Sequence, residues 1–315
     1  MIVIRAARTS AILYSLLTSG TDRRSWLMPA NICPIVPITF FKAKIPIELV
    51  DINPITLNMD LEAIGVRMMT GRYGGILYAH TYGENSTPDS VFEDIKLKNP
   101  DAILIDDRCL TTPDLDPAPA NQADVVLYST GYSKVVDLAY GGYAFINENI
   151  PYQHALLPFS PSHQDKMERA YQATIKDHQK FLYKDSDWLD TSLNLPSWYD
   201  YRRQIENKRV QAMEHKQELN KIYSTELPNE IQLPERFQNW RFNIRVNNQT
   251  TVLSAIFSAG LFASAHYASL AGIMSSDEAP QAGKLGTQIV NLFNDHHFTE
   301  EQAVTICKII RENLS

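Results

Sequence analysis

Apolar positions come in short blocks through the first half of the chain. A helix-like block at residues 10–19 is followed by an extended run near Leu27, a helix-like run ending at Lys42, and a strand-like run at 47–52. Four more apolar blocks, at 75–79, 102–105, 125–128 and 142–146, are as short and apolar as strands buried on both faces. This alternation predicts an α/β fold with a mainly parallel central sheet over residues 1–150. The apolar run at residues 1–17 is broken by Arg5, Arg8, Thr9 and Ser10 with no small-residue cleavage site after it, so it reads as the first helix of the fold rather than a leader.

The pattern changes at residue 151. Residues 151–227 are rich in Gln, Lys, Glu, Asp and Tyr and predict a mostly helical connecting segment. Within it Ile205, Met213, Leu219, Ile222 and Tyr223 form the apolar side of an amphipathic helix at 201–223. From residue 228 the signals mix: a strand at 240–246, a helix at 252–259 ending at Gly260, a strand at 262–266 and a terminal helix at 299–313. Thr299 is its N-cap and Gln302 completes a capping box. Residues 228–315 therefore read as a small α+β domain beside the larger one.

Composition narrows the function. The chain has 315 residues, 44% hydrophobic and 21% charged, as a folded globular protein has. Its net charge is −7 with dispersed Lys and Arg, which leaves no basic footprint for nucleic acid or an anionic membrane and points to small-molecule substrates. No stretch approaches the roughly 20 apolar residues of a membrane span. Cys33, Cys109 and Cys307 are odd in number and far apart, so neither a disulfide framework nor a CxxC metal site is expected; the expected compartment is a reducing cytoplasm.

Three segments carry candidate chemistry. The apolar block at 125–128 runs into Ser129-Thr130-Gly131-Tyr132-Ser133-Lys134, and Gly141-Gly142 then restart a strand. Ligand crevices in a parallel sheet lie at the carboxyl ends of strands, and a desolvated lysine there is a nucleophile toward carbonyls. Upstream, the strand at 102–105 ends in Asp106-Asp107, the residue type that keeps the pyridine nitrogen of pyridoxal 5'-phosphate (PLP) protonated. Arg8-Thr9-Ser10 precede a helix, whose first amides attract phosphate. Taken singly, each has an ordinary structural meaning: a surface lysine, a turn aspartate, an N-cap. Their order along the chain is the stronger signal.

In that order the chain resembles the DegT/DnrJ/EryC1/StrS family of PLP-dependent sugar aminotransferases, which have the type I aspartate-aminotransferase fold. Arg8-Thr9-Ser10-Ala11-Ile12 is similar to the family's phosphate loop, Met28-Pro29-Ala30-Asn31-Ile32-Cys33-Pro34 to its Pro-Ala-Tyr-Thr-Cys-Pro turn, and residues 50–58 to its Val-Asp-Ile-Asp-Pro segment. His80-Thr81-Tyr82-Gly83, Leu104-Ile105-Asp106-Asp107 and Ser129 to Lys134 resemble three further family motifs, and residues 262–267 and 299–303 the small-domain motifs, so the likeness spans nearly the whole chain. It implies Lys134 as the catalytic, Schiff-base lysine and Asp107, rather than Asp106, as the partner of the pyridinium nitrogen. Thr9, Ser10 and Ser129 fall to the cofactor phosphate. It also implies a homodimer that moves an amino group from a donor such as glutamate to a keto sugar, nucleotide-linked in that family.

Three features depart from the family pattern. Thr130 and Gly131 follow Ser129 where the family has an aromatic and a histidine, neither Ile32 nor Cys33 is the aromatic that stacks on the cofactor ring, and Leu110 stands where Gln or His is usual. Two other readings stay open: a PLP-dependent sugar dehydratase or isomerase, disfavoured because Lys134 is kept, and a catalytically degenerate PLP-binding relative. Tyr199 to Arg203 is the nearest match to the family segment that reaches across the dimer; it reads equally as a solvated helix start.

Overall fold

The computed structural model describes residues 1–116 and 122–314. The chain opens with β1 (Ile2–Ala6), α1 (Thr9–Ser19), β2 (Ser25–Pro29), α2 (Ile35–Lys42) and β3 (Ile47–Val50). It continues through α3 (Leu61–Met68), β4 (Tyr73–Ala79), α4 (Asp89–Lys98), β5 (Ile103–Asp107), β6 (Val125–Ser129) and β7 (Gly142–Ile146). These strands form one seven-stranded sheet in the order β1-β7-β6-β5-β4-β2-β3. The five strands from β3 to β6 in that order are mutually parallel, while β7 is antiparallel to both β6 and β1.

The reading of residues 1–17 as one helix is corrected by β1. The β-branched run Ile2-Val3-Ile4 favours extended backbone, and all five residues of β1 pair with β7, from Ile2 opposite Ile146 to Ala6 opposite Gly142. Without β1, β7 would be left with a bare edge of unpaired backbone groups. Helices α3 and α4 are also additions to the sequence reading. Helix α3 is held at its start by Asp60, whose carboxylate accepts from the amides of Glu62 and Ala63. The strands ending in Asp107 and Ser129 extend further than their apolar blocks, because parallel pairing with β4 carries β5 to Asp107 and antiparallel pairing with β7 carries β6 to Ser129.

Both faces of the sheet are covered. Ile105 and Leu127 pack on one side with α1 and α2, and Leu104 and Val126 on the other with Phe92 and Ile95 of α4. The segment after β7 holds α5 (Pro161–Lys176) and α6 (Trp198–Glu226), separated by an irregular stretch over 177–197. Helix α6 serves two cores. Tyr201 and Ile205 pack against the large sheet, whereas Leu219 and Tyr223 pack with a second, three-stranded sheet.

That second sheet is built from β8 (Phe242–Arg245), followed by α7 (Gln249–Ser258), β9 (Ala263–Ser264), α8 (Pro280–Gly286), β10 (Ile289–Leu292) and α9 (Glu300–Glu312), with strand order β8-β10-β9. Strand β9 is only two residues long, shorter than the expected run at 262–266. Helix α9 starts with the capping box read from the sequence: Thr299 accepts from the Gln302 amide, and the Gln302 side chain accepts from the Thr299 amide. Residues 265–279 leave this sheet and pack Leu270 and Ile273 against the large core, with the Leu270 amide on the Ala30 carbonyl.

Candidate functional site

Strands β4, β5 and β6 end side by side, Ala79 opposite Asp107 and Asp107 opposite Leu127. A cavity of about 810 Å³ opens at these carboxyl ends, the place where parallel sheets offer ligand crevices. Thr9, Ser10, Asp107, Ser129 and Lys134, nominated separately from the sequence, all line it.

Thr9 and Ser10 reach the cavity because of β7. Gly142, its first residue, pairs with Ala6 on one side and Ser129 on the other, so the start of α1 and the end of β6 lie one strand apart. Thr9 then crosses over Gly142 to donate from its hydroxyl to the Tyr128 carbonyl at 2.8 Å. A Cβ on Gly142 would collide with the Thr9 hydroxyl and lie 2.6 Å from its amide nitrogen, so only glycine permits the crossing. Arg8, at the N-cap, makes no side-chain capping bond. The first amides of α1, at Thr9 and Ser10, have no intrahelical acceptor and the helix dipole behind them, and both residues line the cavity. The Ser129 hydroxyl lies at the same end and accepts from the Gly131 amide at 3.3 Å.

The two aspartates of β5 differ in partners. Asp106 is fully buried, 2.6 Å from Nε2 of His80 and 2.7 Å from Nε of Arg108. Burial pushes its carboxyl up, but His80 and Arg108 more than reverse this and hold it at about 2. Asp107 borders the cavity and accepts from the Cys109 amide at 3.0 Å. Among the described residues neither Asp107 nor Lys134 enters an ion pair, although both border the same space.

Lys134 sits in a tightly specified loop. Ser133 before it is left-handed (φ 61°), as is Ala139 (φ 63°), and the Asp137 carboxylate accepts from both their amides at 2.7 Å. The Leu138 amide donates to the Thr130 carbonyl, and Thr130 is bonded to the buried Tyr201 of α6. Thr130, which departs from the family pattern, thus locks the loop onto the connecting helix.

Much of the cavity wall was not legible in the sequence. Cys33 and Cys109 both line it; burial pushes both thiols up, and Lys134 counters the shift in each. Tyr267, buried after β9, supplies an aromatic wall and touches Cys33. The outer wall comes from the segment read only as helical connection: Arg8 donates to Gln164 of α5 at 3.1 Å, Gln164 donates to Glu168 at 2.9 Å, and Trp188 and Asp190 stand alongside. No periodicity or motif marks these residues, because tertiary folding alone brings 164–190 over α1. Arg202 lies elsewhere, paired with Asp116 at 2.8 Å and Glu206 at 3.0 Å.

No protein-family model and no curated protein sequence matches the chain. Solved structures do. A DegT DnrJ EryC1 StrS aminotransferase from Brucella abortus superposes with a TM-score of 0.67 at 15% identity, covering 99% of this chain and 86% of that one. The sugar aminotransferase Spr1654 of Streptococcus pneumoniae, in its PMP form, gives 0.71 at 12% identity, over 98% and 87% of the two chains. PseC of Helicobacter pylori, an aminotransferase of pseudoaminic acid biosynthesis, gives 0.71 at 13%, over 99% and 86%. The fold is that of the PLP-dependent aminotransferases. The mainly parallel sheet expected from the apolar blocks is present, with β1 as a strand beyond those expected. At these identities the likeness establishes fold, and the chemistry rests on the residues around the cavity.

Proposed function

We propose that the chain is a PLP-dependent aminotransferase of the DegT/DnrJ/EryC1/StrS family, with Lys134 as its catalytic lysine. The observation that carries this reading is the convergence of a primary amine, a carboxylate and an open helix N-terminus on one cavity. That set fits PLP: the Thr9 and Ser10 amides and the Ser129 hydroxyl for the phosphate, Asp107 for the ring nitrogen, Lys134 for the aldehyde. Among the described residues, Asp106 is committed to His80 and Arg108, which supports Asp107 as the ring partner.

When bound, PLP supplies a protonated ring that draws negative charge away from the carbon bearing the amino group. The protein's residues do the rest. Thr9, Ser10 and Ser129 orient the cofactor through its phosphate, and Asp107 holds the proton on the ring nitrogen. Lys134 would hold the cofactor at its aldehyde carbon, and its amine, once displaced by the amino group of the donor, would move the proton from the donor's α-carbon to that carbon. The outer wall of Arg8, Gln164, Glu168 and Asp190 faces the substrates.

We assign glutamate as donor and a nucleotide-linked keto sugar as acceptor, a large cofactor domain over 1–150, a connecting segment over 151–227 and a small domain over 228–315. The homodimer rests on the family resemblance. A cytoplasmic location rests on Cys33, Cys109 and Cys307 being free thiols.

The test is the visible spectrum of purified protein with added PLP, before and after glutamate, with Lys134→Ala alongside. A band that needs Lys134 and is bleached to the amine form by glutamate is the expected result. Absence of the band in the wild type would sink the proposal.

A further inference from the structure

Resting on Lys134 as the cofactor lysine, we propose that Trp240 and Asp137 are positioning residues that aim it, by clamping the backbone of Ser133 from both sides. Ser133 immediately precedes the lysine and is left-handed, a conformation that L side chains disfavour and that must be held from outside. Asp137 takes its amide at 2.7 Å, and the Trp240 indole donates to its carbonyl at 2.8 Å. Both backbone groups flanking the strained Cα are thereby fixed, and with them the direction in which the next side chain leaves.

The anchor is itself anchored. Trp240 is buried in a small cluster with Leu110, Val135 and Tyr267, its ring stacked parallel to Tyr267 at 6.1 Å. Its carbonyl accepts from the buried Lys216 ammonium of α6 at 3.0 Å. Its amide lies against Gly83, whose positive φ and missing Cβ allow the approach. The clamp therefore reaches from the connecting helix and the entry to β8 across to the lysine loop, joining the placement of Lys134 to the seating of the small sheet.

The test uses Trp240→Phe, which keeps the stacked ring and deletes the donor, alone and combined with Ser133→Gly, which adopts the left-handed backbone without steric cost. Borohydride reduction of the PLP-treated protein, with peptide mass spectrometry, gives the rate at which Lys134 acquires a pyridoxyl group. Amide hydrogen exchange over residues 131–136 of the cofactor-free protein reads the loop directly. We expect Trp240→Phe to slow trapping about tenfold, the factor set by about 1.4 kcal/mol, near the upper range of one net hydrogen bond. Loop exchange should quicken, and Ser133→Gly should recover most of the trapping rate. Wild-type trapping and exchange in Trp240→Phe would overturn the clamp. So would slowed trapping that Ser133→Gly leaves uncorrected with the melting temperature reduced, since Trp240 would then be structural only. A wild type that traps no pyridoxyl group refutes the cofactor reading itself, and loop exchange still decides whether the clamp exists.

Discussion

Asp106 and Asp107 are neighbours on β5 with opposite duties: one is sealed between His80 and Arg108, the other borders the cavity. Successive residues of a strand point to opposite faces, so the pair is split by the pleat. Replacing each by asparagine should separate stability from function. Asp106→Asn leaves the largely buried Arg108 without its ion pair and should cost about 3 kcal/mol in urea denaturation. Asp107→Asn should change stability by under about 1 kcal/mol while lowering transamination about 100-fold or more, the range for losing one preorganised electrostatic partner. Equal losses of stability in the two variants would refute the division.

Gly142 tests the phosphate end of the cavity. Gly142→Ala forces Thr9 away from Tyr128 and should cost about 1–3 kcal/mol, as overpacking does, together with weakened PLP binding. Gly65→Ala, in α3 and away from the cavity, is the control, since its Cβ would meet nothing within 4 Å. Fluorescence titration with PLP and thermal melts of both variants would measure the contrast.

The pH dependence of stability should carry a signature of Lys216. Burial, aided by the nearby Arg241, lowers its ammonium to about 7, against which Asp295 works. An unfolded lysine stays protonated to about pH 10.4. Between pH 7 and 10 the unfolded chain thus binds more protons here than the folded one, and this group's contribution makes stability rise with pH, flattening below 7 where both forms are charged. Denaturation midpoints at pH 6.5, 7.5 and 8.5 should show the rise, and Lys216→Met should flatten it; an unchanged slope in the variant would place the titration elsewhere.

At the far end of the chain, Thr299→Ala removes the hydroxyl that caps α9 and should cost about 1 kcal/mol, with PLP binding at its wild-type level. Equilibrium unfolding read by circular dichroism checks the first part and a PLP titration the second.

Local chemistry made some of this protein legible before folding. Strands buried on both faces leave continuous apolar blocks, so β5, β6 and β7 could be found from composition alone, and Thr299 with Gln302 marks a helix start within four residues. Thr9, Ser10, Asp107, Ser129 and Lys134 are singled out by the family resemblance, and each lies at or shortly after the end of such a block or at a helix start.

Long-range pairing decided the rest. Residues 2–6 are strand because β7, some 140 residues away, offers them an edge. Gly142 matters because Thr9 passes over it, and Trp240 because its indole reaches Ser133 across 107 positions. The sequence by itself determined which residues end strands and start helices, since those signals depend on neighbours a few positions apart. Only the tertiary structure decided which of those ends share one cavity, what seals Asp106 away from it and what holds the lysine loop, because contacts between distant segments follow from packing and leave no periodic trace in the chain.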